Sequence, residues 1–122
     1  MAKDVMPNPN EKRELLHSEK PVDYKKYGDM YYDAGKYNDA IDFYAKGDAK
    51  DELEKIRKIA LEEGDYFLLK RLKKLVPDSI TEEDWKKLAV TAESKGKANF
   101  ATWADEERGK RGAIGGHEGE EP

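Results

Sequence analysis

The sequence predicts an all-α fold, a short solenoid of about three antiparallel helical hairpins with flexible ends. Three observations point there. Between Tyr24 and Gly47, aromatic and small residues recur at steps of three and four, the period of one helix face. Gly35, Gly64 and Gly96 follow one another at intervals of 29 and 32 residues, each preceded by the same spacing of large and small side chains. Only 37% of the 122 residues are hydrophobic and 41% are charged. Compact globules sit nearer ~45–50% apolar, whereas thin helix pairs bury one stripe each and tolerate the deficit.

Residues 1–20 form a flexible N-terminal segment with one short helix. Asn8 caps that helix and Pro9 suits its first turn. It runs through about Lys20, anchored by Leu15 and Leu16, with His17 on the surface. The repeat domain spans 21–108, as hairpins 21–47, 48–76 and 81–108. Pro21 starts the first strong helix, and Tyr24, Tyr27, Gly28, Tyr31 and Tyr32 give it a buried face. Gly35 ends it, since glycine tolerates the left-handed conformation past a helix terminus. Asn38 caps the next helix, whose stripe is Ala40, Ile41, Tyr44 and Ala45, and Gly47 closes it.

Asp48 caps the following helix, with Leu53, Ile56, Ile59, Ala60 and Leu61 apolar and Gly64 as its stop. Asp65 caps another, with Phe67, Leu68, Leu69, Leu72, Leu75 and Val76 apolar. Its Lys70, Arg71, Lys73 and Lys74 form a solvated face that also suits the negative end of the helix dipole. Pro77 forces a break. Thr81 and Asp84 resemble a capping box that opens a helix with Trp85, Leu88, Ala89 and Ala92 on one side. Gly96 stops it. A final helix from about Lys97 to Arg108 carries Phe100, Trp103 and Ala104, with Phe100 and Trp103 partly exposed. The glycine-rich stretch 109–122 reads as a disordered tail.

The recurring spacing has a packing logic. Positions eleven, eight, seven and four before each glycine hold Tyr24, Tyr27, Gly28 and Tyr31, then Leu53, Ile56, Arg57 and Ala60, then Trp85, Leu88, Ala89 and Ala92. Five residues past each glycine stand Ala40, Leu69 and Ala101. Small residues at a helix crossing let two helices approach.

On these residues the chain resembles the tetratricopeptide repeat, whose pattern is Trp, x2, Leu-Gly, x2, Tyr, then Ala, x3, Phe, then Pro. The first hairpin matches as Y24-x2-Y27-G28-x2-Y31 and A40-x3-Y44, and the third begins as W85-x2-L88-A89-x2-A92. Arg57 replaces the small residue, and Lys73 and Asp105 replace the aromatic. The closing proline is missing, and the intervals are shorter than the family's 34. The resemblance implies a right-handed solenoid with a concave groove for a partner peptide or helix. Its groove positions are Lys25, Asp29, Tyr32 and Asp33 in the first hairpin, Glu54, Lys58, Leu61 and Glu62 in the second, and Lys86, Val90, Glu93 and Ser94 in the third. Lys25 matches a lysine that grips a peptide's terminal carboxylate in some members. Asp29, standing where asparagine would, repels a carboxylate, which favours a mixed-charge or basic peptide.

The implied function is a protein–protein interaction module or small scaffold subunit. The alternative is a nucleic-acid-associated protein using the basic stretches 70–74 and 95–111. The net charge of −4 with interspersed signs argues against that. So does the acidic character of 99–108, where a helix-turn-helix would place a basic recognition helix. No enzyme is expected, and no catalytic, cofactor-binding or metal-binding residues. His17 and His117 are far apart, and no phosphate-binding glycine loop or metal-ligand spacing occurs. Without cysteine there is no disulfide or thiolate site. No run approaches the ~18 apolar residues of a membrane span, and the start lacks a signal-peptide core, so a cytoplasmic protein is expected.

Overall fold

A computed structural model of the chain describes residues 6–109. They form seven α-helices and, among these residues, no strand: α1 Pro9–Leu16, α2 Tyr24–Asp33, α3 Tyr37–Lys46, α4 Lys50–Glu63, α5 Tyr66–Leu75, α6 Glu82–Ser94 and α7 Ala98–Gly109. A 3-10 turn, Pro77–Ser79, follows α5 where Pro77 stops it. The expectations for 1–5 and for 110–122, including the tail, His117 and the end of the basic stretch, lie outside the described residues. The chain divides into two compact units, Met1–Ile56 and Arg57–Pro122, and the division falls within α4.

In the first unit α1 opens with a full capping box. Asn8 Oδ1 accepts from the Glu11 amide at 2.8 Å and Glu11 Oε1 from the Asn8 amide at 3.0 Å. The helix stops at Leu16, short of Lys20, with His17 as its C-cap. Leu15 and Leu16 are only half-buried. Ion pairs hold α1 instead: Lys12 Nζ lies 2.6 Å from Asp39 and 2.8 Å from Asp42, both on α3. Tyr31 adds a hydrogen bond to the Pro7 carbonyl at 3.0 Å.

The start of α2 is set by Asp23, whose carboxylate accepts from the Lys26 amide, and not by Pro21. Asn38 is likewise inside α3 rather than its cap, which is Lys36. At the end of α2, Gly35 takes φ +77°, as a left-handed terminus requires. At the end of α3 that conformation belongs to Asp48, with φ 55°, so Asp48 is a left-handed terminus of α3 and α4 starts at Lys50. Gly47 has φ −93° and serves close approach instead: a Cβ there would stand 2.8 Å from Tyr24 Cβ. The core of α2 and α3 is built round Phe43, a residue absent from the expected stripe. Its ring is fully buried and lies 5.6–6.5 Å from those of Tyr24, Tyr27 and Tyr31.

In the second unit Asp65 caps α5 through the Leu68 amide at 3.1 Å. Thr81 and Asp84 exchange both bonds of a capping box at the start of α6. Asp84 is buried and also takes Arg57 Nη1 at 2.6 Å, so the arginine in a small-residue position bonds the cap of another helix. Gly64 and Gly96 adopt φ +67° and +77°. Leu69, Leu72, Trp85, Leu88, Ala92, Ala101 and Ala104 are buried. The inward face of α5 is shifted from the expected one: Tyr66 is buried, while Phe67 and Leu75 are exposed. Tyr66 prevails because its ring lies between Trp85 and Trp103 while its hydroxyl reaches a carboxylate on α7, which Phe67 could not satisfy.

Candidate functional site

Of the expected groove positions on α2, Lys25, Asp29 and Asp33 line a shallow hollow of about 350 Å³ and Tyr32 does not. Asp29 is tied on both oxygens. Tyr44 donates its hydroxyl to Oδ1 at 2.5 Å and Lys25 its ammonium to Oδ2 at 2.9 Å. Burial favours the neutral acid, but these two bonds outweigh it and hold the Asp29 carboxyl below its ordinary range. Burial, then the bond to Asp29, pushes the Tyr44 hydroxyl up. Lys25 also approaches Glu52 at 3.5 Å. Lys25 and Asp29 are thus both engaged within the unit. Tyr32 turns edge-on to Tyr37 at 5.4 Å, and Asp33 is exposed.

On α4, Glu54, Lys58 and Glu62 are exposed. Leu61 is buried in the core and does not line a groove, a correction that follows from its place about two turns past Leu53 on the inward side of α4.

The expected positions on α6 come together with residues of α7. Lys86, Val90, Glu93 and Ser94 line one side of a hollow of about 460 Å³ between α6 and α7. Ala89 and Ala101 are buried along it, and Asp105 and Arg108 complete it from α7. Val90 is 65% exposed. Asp105 stands where the repeat pattern asks for an aromatic side chain, and its carboxylate turns to Arg108 at 3.2 Å.

The basic face of α5 is not simply solvated. Lys70 Nζ lies 2.5 Å from Glu107 and Lys73 Nζ 3.4 Å from the same carboxylate, which is 2% exposed. Tyr66 donates to it at 2.7 Å. Burial first, then this bond, pushes the Tyr66 hydroxyl up. Sequence reasoning missed Glu107, since a D-E-E-R run reads as solvent-facing. The available signal was its spacing from Phe100 and Trp103 on one face of α7. Tyr66, Phe67, Phe100 and Trp103 form one aromatic cluster with ring separations of 5.4–6.2 Å. Phe100 and Trp103 are half-buried in it. Lys97 lies over Phe100 and donates to the Glu63 carbonyl at 2.9 Å.

Among the described residues no three His, Cys, Asp or Glu side chains are grouped to hold a metal ion. No helix among them is long and apolar enough to cross a membrane. No protein-family model matches the chain, and neither a curated protein nor a solved structure shows significant similarity to it.

Proposed function

We propose that this chain is a cytoplasmic protein–protein interaction module, or a small scaffold subunit, built from tetratricopeptide-like hairpins. The hollow between α6 and α7 takes a partner peptide or helix. The observation that carries this is Val90, an aliphatic side chain 65% exposed beside a floor of Ala89 and Ala101.

Comparison of the two helix pairs supports the reading. In α2–α3 the small pattern residue, Gly28, is covered by the ring of Tyr44. In α6–α7 the equivalent small residue is Ala89, and the equivalent of Tyr44 is Asp105. The volume an aromatic ring would fill stays open, so an apolar side chain from outside gains by entering it. Lys86 and Arg108 with Glu93 and Asp105 give the rim both signs, suiting a mixed-charge peptide.

Affinity purification from the native lysate with the wild type and Val90→Glu tests this, with unfolding midpoints measured for both. The expected result is a stoichiometric protein held by the wild type and lost by the equally stable variant. Retention of that protein by Val90→Glu, or recovery of nucleic acid in its place, overturns it.

A further inference from the structure

We propose a second docking surface, distinct from the α6–α7 hollow: the aromatic and basic face made by α5 and α7, which receives an acidic, amphipathic segment of a partner protein. Phe67 is 55% exposed although its ring lies 5.4 Å from Phe100 and 5.8 Å from Trp103. Phe100 and Trp103 are themselves 5.7 Å apart and half-buried. Three rings in mutual contact therefore share one water-facing patch. Exposed aromatic clusters of this kind are where partner anchors seat, because a large rigid ring loses water at small entropic cost.

The charge that α5 brings to the patch is one-sided. Phe67, Lys70, Arg71 and Lys74 stand at steps of three, four and seven on α5 and so form one stripe. The whole of α5 carries four cations and no carboxylate, in a chain of net charge −4. Glu107 offsets part of this, yet Lys70 and Lys73 keep 36% and 37% of their side chains exposed. A partner that complements the face needs an apolar side chain for the rings and carboxylates one to two helical turns away for the lysines.

A nucleic acid fits less well. Single strands bind where bases stack on open aromatic faces. Here Phe67 meets Phe100 at 86° and Trp103 at 60°, so the rings are turned against each other. Two of the lysines also lean on a carboxylate already.

The two surfaces use different faces of α7. Phe100, Trp103 and Glu107 follow one another at three- and four-residue steps, and Ala101, Asp105 and Arg108 do the same on the neighbouring face. One can fail while the other holds.

The test replaces Phe67 in the full chain by a photo-reactive residue, Phe67→benzoylphenylalanine, irradiates in the native cells and sequences the adduct. The same protein carrying Lys74→Glu is the second sample. The expected result is one adduct on an Asp- and Glu-rich stretch with apolar residues at helical spacing, reduced at least about fivefold by Lys74→Glu, as a rim charge reversal should do. An adduct on nucleic acid, one on a neutral or basic stretch, no adduct, or a yield indifferent to Lys74→Glu overturns the proposal. Trp fluorescence of both samples guards against misfolding, since Trp85 and Trp103 both lie in this unit.

Discussion

The ring of Tyr44 fills the space that a side chain at Gly28 would need: a Cβ there would stand 2.5 Å from two of its ring carbons. The ring cannot easily swing away, because its hydroxyl is held by Asp29 at 2.5 Å. Gly28→Ala should therefore destabilise the α2–α3 pair. Overpacking costs ~1–3 kcal/mol, against the ~1 kcal/mol that alanine gains over glycine inside a helix. Hydrogen exchange of the α2 and α3 amides would show faster opening. Slower exchange would mean that Tyr44 yields more readily than its hydroxyl bond suggests.

The same pair sets a pH dependence with two opposite limbs. The Asp29 carboxyl is held below its ordinary value, so its stabilisation is fully present above the unfolded value of ~3.9 and is lost as pH falls through the lower folded value. Tyr44 is raised, so its contribution is present below ~10 and is lost as pH rises through the higher folded value. In a spectrophotometric titration of the seven tyrosines, Tyr44 and Tyr66 should ionise last. Tyr44→Phe should remove one of those late steps, and an unchanged high-pH limb would rule the assignment out.

Glu107 makes a sharper demand on the second unit. Glu107→Ala leaves the Tyr66 hydroxyl without its buried acceptor and two lysines without their shared carboxylate. The loss should be about 1–3 kcal/mol, the cost of an unsatisfied buried group. It should not approach that of a fully buried ion pair, because both lysines reach water. Glu107→Gln keeps an acceptor for Tyr66 and should cost less. Urea unfolding followed by Trp fluorescence reads this unit, and equal effects of the two variants would assign the stability to charge alone.

These residues also show where the sequence was legible. The all-helical class, the caps at Asn8, Asp65 and Thr81, and the left-handed Gly35, Gly64 and Gly96 follow from local rules that act within one turn. Local rules mislead where two residues compete for one role. Asp48, expected to cap α4, takes the left-handed φ past α3, while Gly47 sits against Tyr24. Phe43 and Tyr66 lie outside the expected stripes, and only the rings packed against them show that their positions face inward. Of the expected groove, Lys86, Val90, Glu93 and Ser94 share a hollow, whereas Leu61 is core. Asp105 was visible as a departure from the pattern, but its consequence, an open hollow, needs the packed helices.

That departure yields the test that joins stability to binding. If the hollow exists because Asp105 replaces a ring, then Asp105→Tyr should cover Ala89 and Ala101 as Tyr44 covers Gly28. The exposed Asp105–Arg108 pair that it removes is worth ~1 kcal/mol at most, while burying a ring in an existing hollow gains ~1–3 kcal/mol. The variant should unfold at equal or higher urea concentration than the wild type and should lose the partner that Val90→Glu loses. A variant that is more stable but still binds would place the partner elsewhere. One that is clearly less stable would show that the hollow does not have the shape of the missing side chain.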